Sequence, residues 1–271
     1  MFIHSLPRSI WRVADIVLCG LVFMGSSLAQ GGPPMITDDP DTPGDGHWEI
    51  NLAAVSSRAS GQYSVALPDA DINYGLGEHL QLKADIPLVL ARQSGQASYY
   101  DLGTANFGVK WRFVDEEDTE GSQHSSFNVS TYPQLQTRLN TRSVQQGTAA
   151  ADRSFYLPLE ASGHFAHEGP LATWIWVAEV GRSWLMNGPD ASASNWQMGL
   201  LIAHDCAQAL ECLAEWHETW FSQGKLQLVN FGFRLALDEN IKLIGSAGRQ
   251  SAINAPTASA SLMYLGTQLS Y

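Results

Sequence analysis

The carboxyl-terminal stretch Ser261-Leu-Met-Tyr-Leu-Gly-Thr-Gln-Leu-Ser-Tyr271 decides how the chain is read. Its odd positions from Met263 are Met263, Leu265, Thr267, Leu269 and Tyr271, and its even ones are Tyr264, Gly266, Gln268 and Ser270. That period of two is the mark of a strand with one apolar face. Terminal residues fray unless something ties them down. A last strand that ends on an aromatic has a physical reason in a closed outer-membrane barrel, where it pairs with the first strand and removes both sheet edges. The edge strand of a soluble sandwich is the competing reading, and the rest of the sequence has to separate the two.

Alternation of the same kind recurs through the chain. Trp48, Ile50, Leu52 and Ala54 oppose His47, Glu49, Asn51 and Ala53. Leu80, Leu82, Ala84, Ile86, Leu88 and Leu90 alternate with Gln81, Lys83, Asp85 and Pro87. Phe107, Val109, Trp111 and Phe113 alternate with Asn106, Gly108, Lys110 and Arg112, and Ser125 to Gln136 forms a fifth such run. Further runs follow around Phe155 to Ala161, Ala172 to Val180, Trp196 to Ile202, Cys212 to Trp216, Val229 to Leu237 and Ile241 to Ala247. The run at Ala172 is less clean, because Ile175 and Val177 fall on the face that should be polar. With Asp69 to Tyr74 and the final strand, the pattern predicts an all-β fold of about twelve strands of roughly ten residues. The connections Gly75 to Glu78, Asp115 to His124, His167 to Pro170, His204 to Glu211 and Asp238 to Asn240 are mostly short. Those on the other side, Ala91 to Asp101, Thr137 to Arg153, Trp184 to Ser194 and Arg249 to Thr257, are longer. Short turns on one side and long loops on the other, with Trp48, Trp111, Trp174, Trp216 and Trp220 as girdles, favour a transmembrane antiparallel β-barrel over a sandwich.

Ahead of the barrel, Arg8 and Arg12 precede the apolar run Ile16 to Met24 and then Ser27-Leu-Ala29, the pattern of a secretory signal peptide over residues 1–29. That run is too short to span a bilayer as a helix. Residues 30–46 hold four prolines and four aspartates without periodicity, and so form neither strand nor helix. They are expected either as a solvated periplasmic leader or as a plug in the near end of the barrel. Asp38, Asp39, Asp41 and Asp45 could attract a cation, but no spaced ligand loop is present and no metal or cofactor is expected. Removing Arg8, Arg12 and Asp15 with the signal from 15 basic and 27 acidic side chains leaves 13 against 26, a net charge of −13, which argues against nucleic acid. Cys206 and Cys212 remain, and an oxidising export compartment favours a disulfide between them.

The segments Gly32-Pro-Pro-Met-Ile-Thr-Asp-Asp-Pro40, Gly46-His-Trp-Glu49, Asn73-Tyr-Gly-Leu-Gly77 leading into Gln81-Leu-Lys-Ala-Asp-Ile-Pro87, and Asn106-Phe-Gly-Val-Lys-Trp-Arg-Phe113 resemble those of a family of outer-membrane barrels named for the meta pathway of phenol degradation. The resemblance covers the mature chain, with the cysteine pair and the final Tyr271 as departures. It implies passage of aromatic or other poorly soluble compounds and no catalytic residue.

From the residues themselves, the inward face of such a barrel carries Asp71, Lys83, Asp85, Lys110, Arg112, Glu160, Glu179, Glu215, Arg234 and Lys242. Both signs are present, so these side chains either line a selective pore or lock the lumen through ion pairs. The expected partners are outer-membrane lipid, the barrel-assembly machinery through the last strand, and a small-molecule solute. A structural or adhesion barrel with a closed lumen is the main alternative. An enzyme in the wall would need a nucleophile beside a base such as His164, His204 or His217, and no local signature selects one.

Overall fold

The computed structural model describes residues 32–116, 127–166, 169–187, 193–255 and 258–271. The expected signal peptide lies outside them. The strands are β1 (Trp48–Ala59), β2 (Gln62–Gly75), β3 (Leu80–Gln93), β4 (Tyr99–Leu102), β5 (Thr104–Glu116), β6 (Phe127–Thr131), β7 (Gln134–Arg138), β8 (Ser154–His164), β9 (Trp174–Leu185), β10 (Ser194–Ala207), β11 (Leu210–Phe221), β12 (Gly224–Ala236), β13 (Ile241–Ile253) and β14 (Ala260–Ser270). One short helix, α1 (Thr141–Gln145), interrupts them between β7 and β8.

These segments make twelve staves of one closed antiparallel barrel. β14 pairs with β1 from Glu49↔Ser270 to Ala59↔Ala260, and the ladder runs on through Trp48, whose N–H donates to the Tyr271 carbonyl at 2.9 Å. β4 and β5 together form the stave beside β3, and the two halves β6 and β7 together form the stave between β5 and β8. Every stave is therefore hydrogen-bonded on both sides, which is the condition for a sheet to cross a bilayer. The apolar faces point outward into lipid: Met263 is 60% exposed, Leu265 57% and Phe231 63%.

The structure lengthens or divides several of the expected strands. β2 begins at Gln62, well before Asp69, because a bulge between Ala66 and Asp69 shifts the register and hides the upper half from a strict period of two. The run expected from Ser125 to Gln136, whose first two residues lie outside the described ones, is broken at Tyr132-Pro133, where proline cannot donate to the ladder and the tyrosine ring turns into the barrel. Gly108 makes room for that ring, since a Cβ there would lie 2.6 Å from Tyr132 Cε2. The loop expected from Ala91 to Asp101 contains β4, and the one from Thr137 to Arg153 contains α1, which Asn140 caps by accepting from the Ser143 N–H at 2.7 Å.

Both chain ends of the barrel lie on the side of the Leu76–His79 and Leu237–Asn240 turns, the periplasmic side for this architecture. The sorting of loops is only partial: Ser60–Gly61 and Ser222–Gln223 are two-residue turns on the outer side, and Phe165–Thr173 is a longer connection on the periplasmic one. The link expected from His204 to Glu211 shrinks to Gln208–Ala209, since β10 and β11 pair as far as Ala207↔Leu210. Cys206 and Cys212 are disulfide-bonded across this hairpin.

Candidate functional site: a plugged lumen with two kinds of wall

The interior is shaped by residues 32–40, which run inside the barrel, while 41–46 follow at the periplasmic rim, where Asp41, Asp45 and Gly46 are exposed. The backbone of 32–40 belongs to no sheet or helix; the Met35 N–H turns back to the Gly32 carbonyl at 3.0 Å, and other polar groups are met by side chains from the wall. Glu215 on β11 accepts from the Ile36 N–H at 2.9 Å and from the Thr37 N–H at 2.5 Å, and Asn230 on β12 holds the other carboxylate oxygen at 3.1 Å. Glu179 on β9 accepts from the Asp38 N–H at 3.2 Å and from the Tyr156 hydroxyl. Ser246 donates to the Pro34 carbonyl at 2.8 Å, and Arg234 Nε lies 3.4 Å from the Pro33 carbonyl. Two wall glycines mark how closely the segment is seated. A Cβ at Gly199 would fall 2.9 Å from Thr37 Cβ, and one at Gly232 would fall 2.6 Å from Met35 Cε.

The wall around this segment differs from one side to the other. Between β9 and β14 the inward positions include Val177, Leu201, Ala203 and Leu213, which close over Met35. Leu228, Ala260 and Leu262 pack with Ile36. Burying a methionine side chain as fully as Met35, which is 2% exposed, contributes about 1.5–3 kcal/mol. The irregular face of β9 thus has a cause: Val177 turns away from lipid because an apolar partner waits inside.

Opposite, β2, β3, β5 and β8 carry charge. Lys110 Nζ lies 3.1 Å from Asp38 and 3.4 Å from Glu160, and also donates to the Asp39 carbonyl. Ser130 donates to Glu160 at 2.6 Å. Lys83 pairs with Asp71 at 3.2 Å, and Asp85 stands across from Asp71 in the β2–β3 ladder. Lys83 and Lys110 lie 5.5 and 5.1 Å from the centre of the Tyr132 ring, both within cation–π range of one aromatic. Lys110, Glu160 and Tyr132 are each at most 1% exposed, packed between the wall and the inserted segment.

Of the ten inward residues expected from the sequence, Lys83 with Asp71 and Lys110 with Glu160 form this belt, with Asp85 beside it. Glu179 and Glu215 hold the inserted backbone. Arg112 pairs with Asp115 at 2.9 Å and Asp41 at 3.5 Å, nearer the periplasmic end. Arg234, paired with Glu211 at 2.9 Å, and Lys242 line a polar cavity of about 270 Å³ on that side, shared with Asp39, Asp41, Glu49 and Gln268. Tyr132, Asn230, Tyr156 and Ser246 complete the arrangement and were not among the expected residues. Among the described residues no cluster of His, Cys, Asp and Glu is placed to hold a metal ion. His164 bonds the Ala172 carbonyl, and His204 meets the Thr173 hydroxyl and stacks on Trp174.

A closed barrel with an oily exterior, a polar and partly charged interior and both ends on one side matches known folds. The chain has the outer-membrane β-barrel fold. It aligns with the crystal structure of an outer-membrane channel from Pseudomonas putida F1 at a TM-score of 0.63 and 12% identity, over 86% of this chain and 98% of that one. The KdgM porin in complex with disordered oligogalacturonate aligns at 0.55 and 9% identity, over 82% of this chain and 99% of that one. The NanC porin aligns at 0.54 and 6%, over 81% and 98%. No protein-family model matches the sequence. No curated protein matches it either. At these identities the likeness is one of fold.

Proposed function

We propose that this barrel is an outer-membrane channel for small compounds carrying both a polar group and an apolar or aromatic body, and that residues 32–43 plug it at rest. The observation that carries this is the filling of the lumen. A barrel of this size is too wide for its own wall to close tightly, and here the centre is taken by a separate segment held through side-chain contacts. An interior that served stability alone would be better filled with apolar residues than with buried ion pairs, which seldom repay their desolvation. The wall between β9 and β14 sets apolar residues among Glu179, Glu215 and Arg234, and faces a charged group on β2, β3, β5 and β8, a suitable surface for an amphipathic solute. The resemblance of the leader and the Asn106-Phe-Gly108 segment to the phenol-degradation family points toward aromatic solutes.

The proposed partners are outer-membrane lipid around the wall, the barrel-assembly machinery acting on β14, and the solute itself. The reading is tested by liposome swelling with purified mature protein against a panel of aromatic acids, neutral phenols and sugars of matched size. Uptake of aromatic solutes above that of the sugars is the expected result. Equal exclusion of all three classes, both by the intact chain and by one lacking residues 30–46, would point instead to a structural barrel with a closed lumen.

A further inference from the structure

The outer surface carries a feature that the channel reading does not use. On the lipid-facing side, the ladder places Arg92 of β3 opposite Tyr63 of β2, Tyr63 opposite Arg58 of β1, Arg58 opposite Ser261 of β14 and Ser261 opposite Arg249 of β13. Three arginines thus share one diagonal row across five adjacent strands, although they are far apart in sequence. Strands lie about 4.8 Å apart, so about 10 Å separates Arg92 from Arg58 and Arg58 from Arg249 along the row. All three are exposed.

The height of the row matters. Arg58 and Arg92 each lie one residue from the outer end of their strand, and Arg249 lies four residues below the outer end of β13. Immediately below them on the same outward faces come Leu90, Ser56, Met263 and Ala247, where the apolar band begins. Arginine at such a level extends its guanidinium into the headgroup layer while its methylenes stay in lipid.

The charge is also unbalanced. The chain as a whole carries −12, yet no acidic residue occupies an outward position on these five strands. Lys83, Lys110, Arg112, Lys225 and Arg234 each pair with a carboxylate. Among the described residues no carboxylate does so with Arg58, Arg92 or Arg249, and Arg249 only donates to the Ser261 hydroxyl at 2.9 Å. Guanidinium groups match phosphate by paired N–H donors. A row of them spaced about 10 Å apart, aimed at the outer leaflet, fits a headgroup bearing more than one phosphate.

We infer that Arg92, Arg58 and Arg249, with Tyr63 between them, form a binding site for the phosphorylated glycolipid of the outer leaflet. The inference goes beyond the channel reading and requires only that the barrel lie in the outer membrane with its chain ends on the periplasmic side.

Native mass spectrometry of the mature protein in detergent, titrated with bis-phosphorylated lipid A, tests it. The expected result is retention of lipid A at least tenfold tighter than its dephosphorylated form or phosphatidylglycerol. The triple variant Arg58→Ala, Arg92→Ala, Arg249→Ala should lose at least tenfold in affinity, and the corresponding triple lysine variant should keep part of it. Heat-modifiable electrophoretic mobility confirms that each variant is folded, and Arg138→Ala with Arg153→Ala, outside the row, should bind as the parent does. Equal binding by the triple alanine variant would overturn the site. Displacement by millimolar inorganic phosphate, or equal binding of phosphatidylglycerol, would overturn its assignment to a phosphorylated glycolipid.

Discussion

Removing residues 32–43 from the mature chain is expected to raise its conductance in planar bilayers several-fold while the barrel stays folded. The wall closes through β1 and β14 without help from that segment, since the pairing from Glu49↔Ser270 to Ala59↔Ala260 lies wholly in the strands. What leaves with the deletion is the filling: Met35 from its apolar pocket, the Ile36 and Thr37 amides from Glu215, and Asp38 from Lys110. A point substitution should act in the same direction. The added side chain in Gly199→Val meets Thr37, whose side chain is buried and whose amide is fixed, so the segment must back out. Both forms should keep the slow electrophoretic shift on heating that marks a closed barrel. Unchanged conductance in a folded deletion would mean that the wall alone closes the path.

The second large effect concerns Lys110. Replacing it by methionine preserves much of the volume but leaves Asp38 and Glu160 without their shared cation, at 6% and 0% side-chain exposure. Removing one partner from a buried ionic cluster costs about 3–5 kcal/mol, because the carboxylates keep their desolvation cost and lose the compensating charge. Tryptophan fluorescence during guanidinium unfolding in lipid should report that loss. The combined change Lys110→Met, Asp38→Asn, Glu160→Gln should recover most of it, since a neutral, hydrogen-bonding set no longer needs the cation. If the single change proves neutral, the cluster is solvated and the lumen at that level is open to water.

The barrel was legible in the sequence because its cause is local. Each outward leucine or tryptophan is two residues from the next, so Leu80 to Leu90 and Met263 to Leu269 announce their faces without knowledge of any partner strand. The charged inward residues were legible for the same reason. The place of residues 30–46 stayed open between a solvated leader and a plug, since Ile36 meets Glu215 across 179 residues of chain and proline-rich segments have no period to read. One signal was nevertheless present. Val177, Leu201, Leu213, Leu228, Ile244 and Leu262 stand on the face that should be wet, and apolar residues there require something apolar inside. The arginine row was hidden in another way: Arg58, Arg92 and Arg249 become neighbours only once the register of five strands is known.

The leader passes Glu215 and Gly199 inside the barrel, and a cross-link reads that placement directly. Thr37→Cys and Gly199→Cys, introduced with Cys206→Ser and Cys212→Ser, would bring two thiols together where the Cβ positions are 2.9 Å apart before relaxation. In outer-membrane preparations under mild oxidant, the pair should form a disulfide in high yield, hold the conductance at its resting level, and release both effects on reduction. Free thiols at both positions in the folded, membrane-inserted protein, open to a bulky water-soluble reagent, would place the leader outside the lumen and contradict the account.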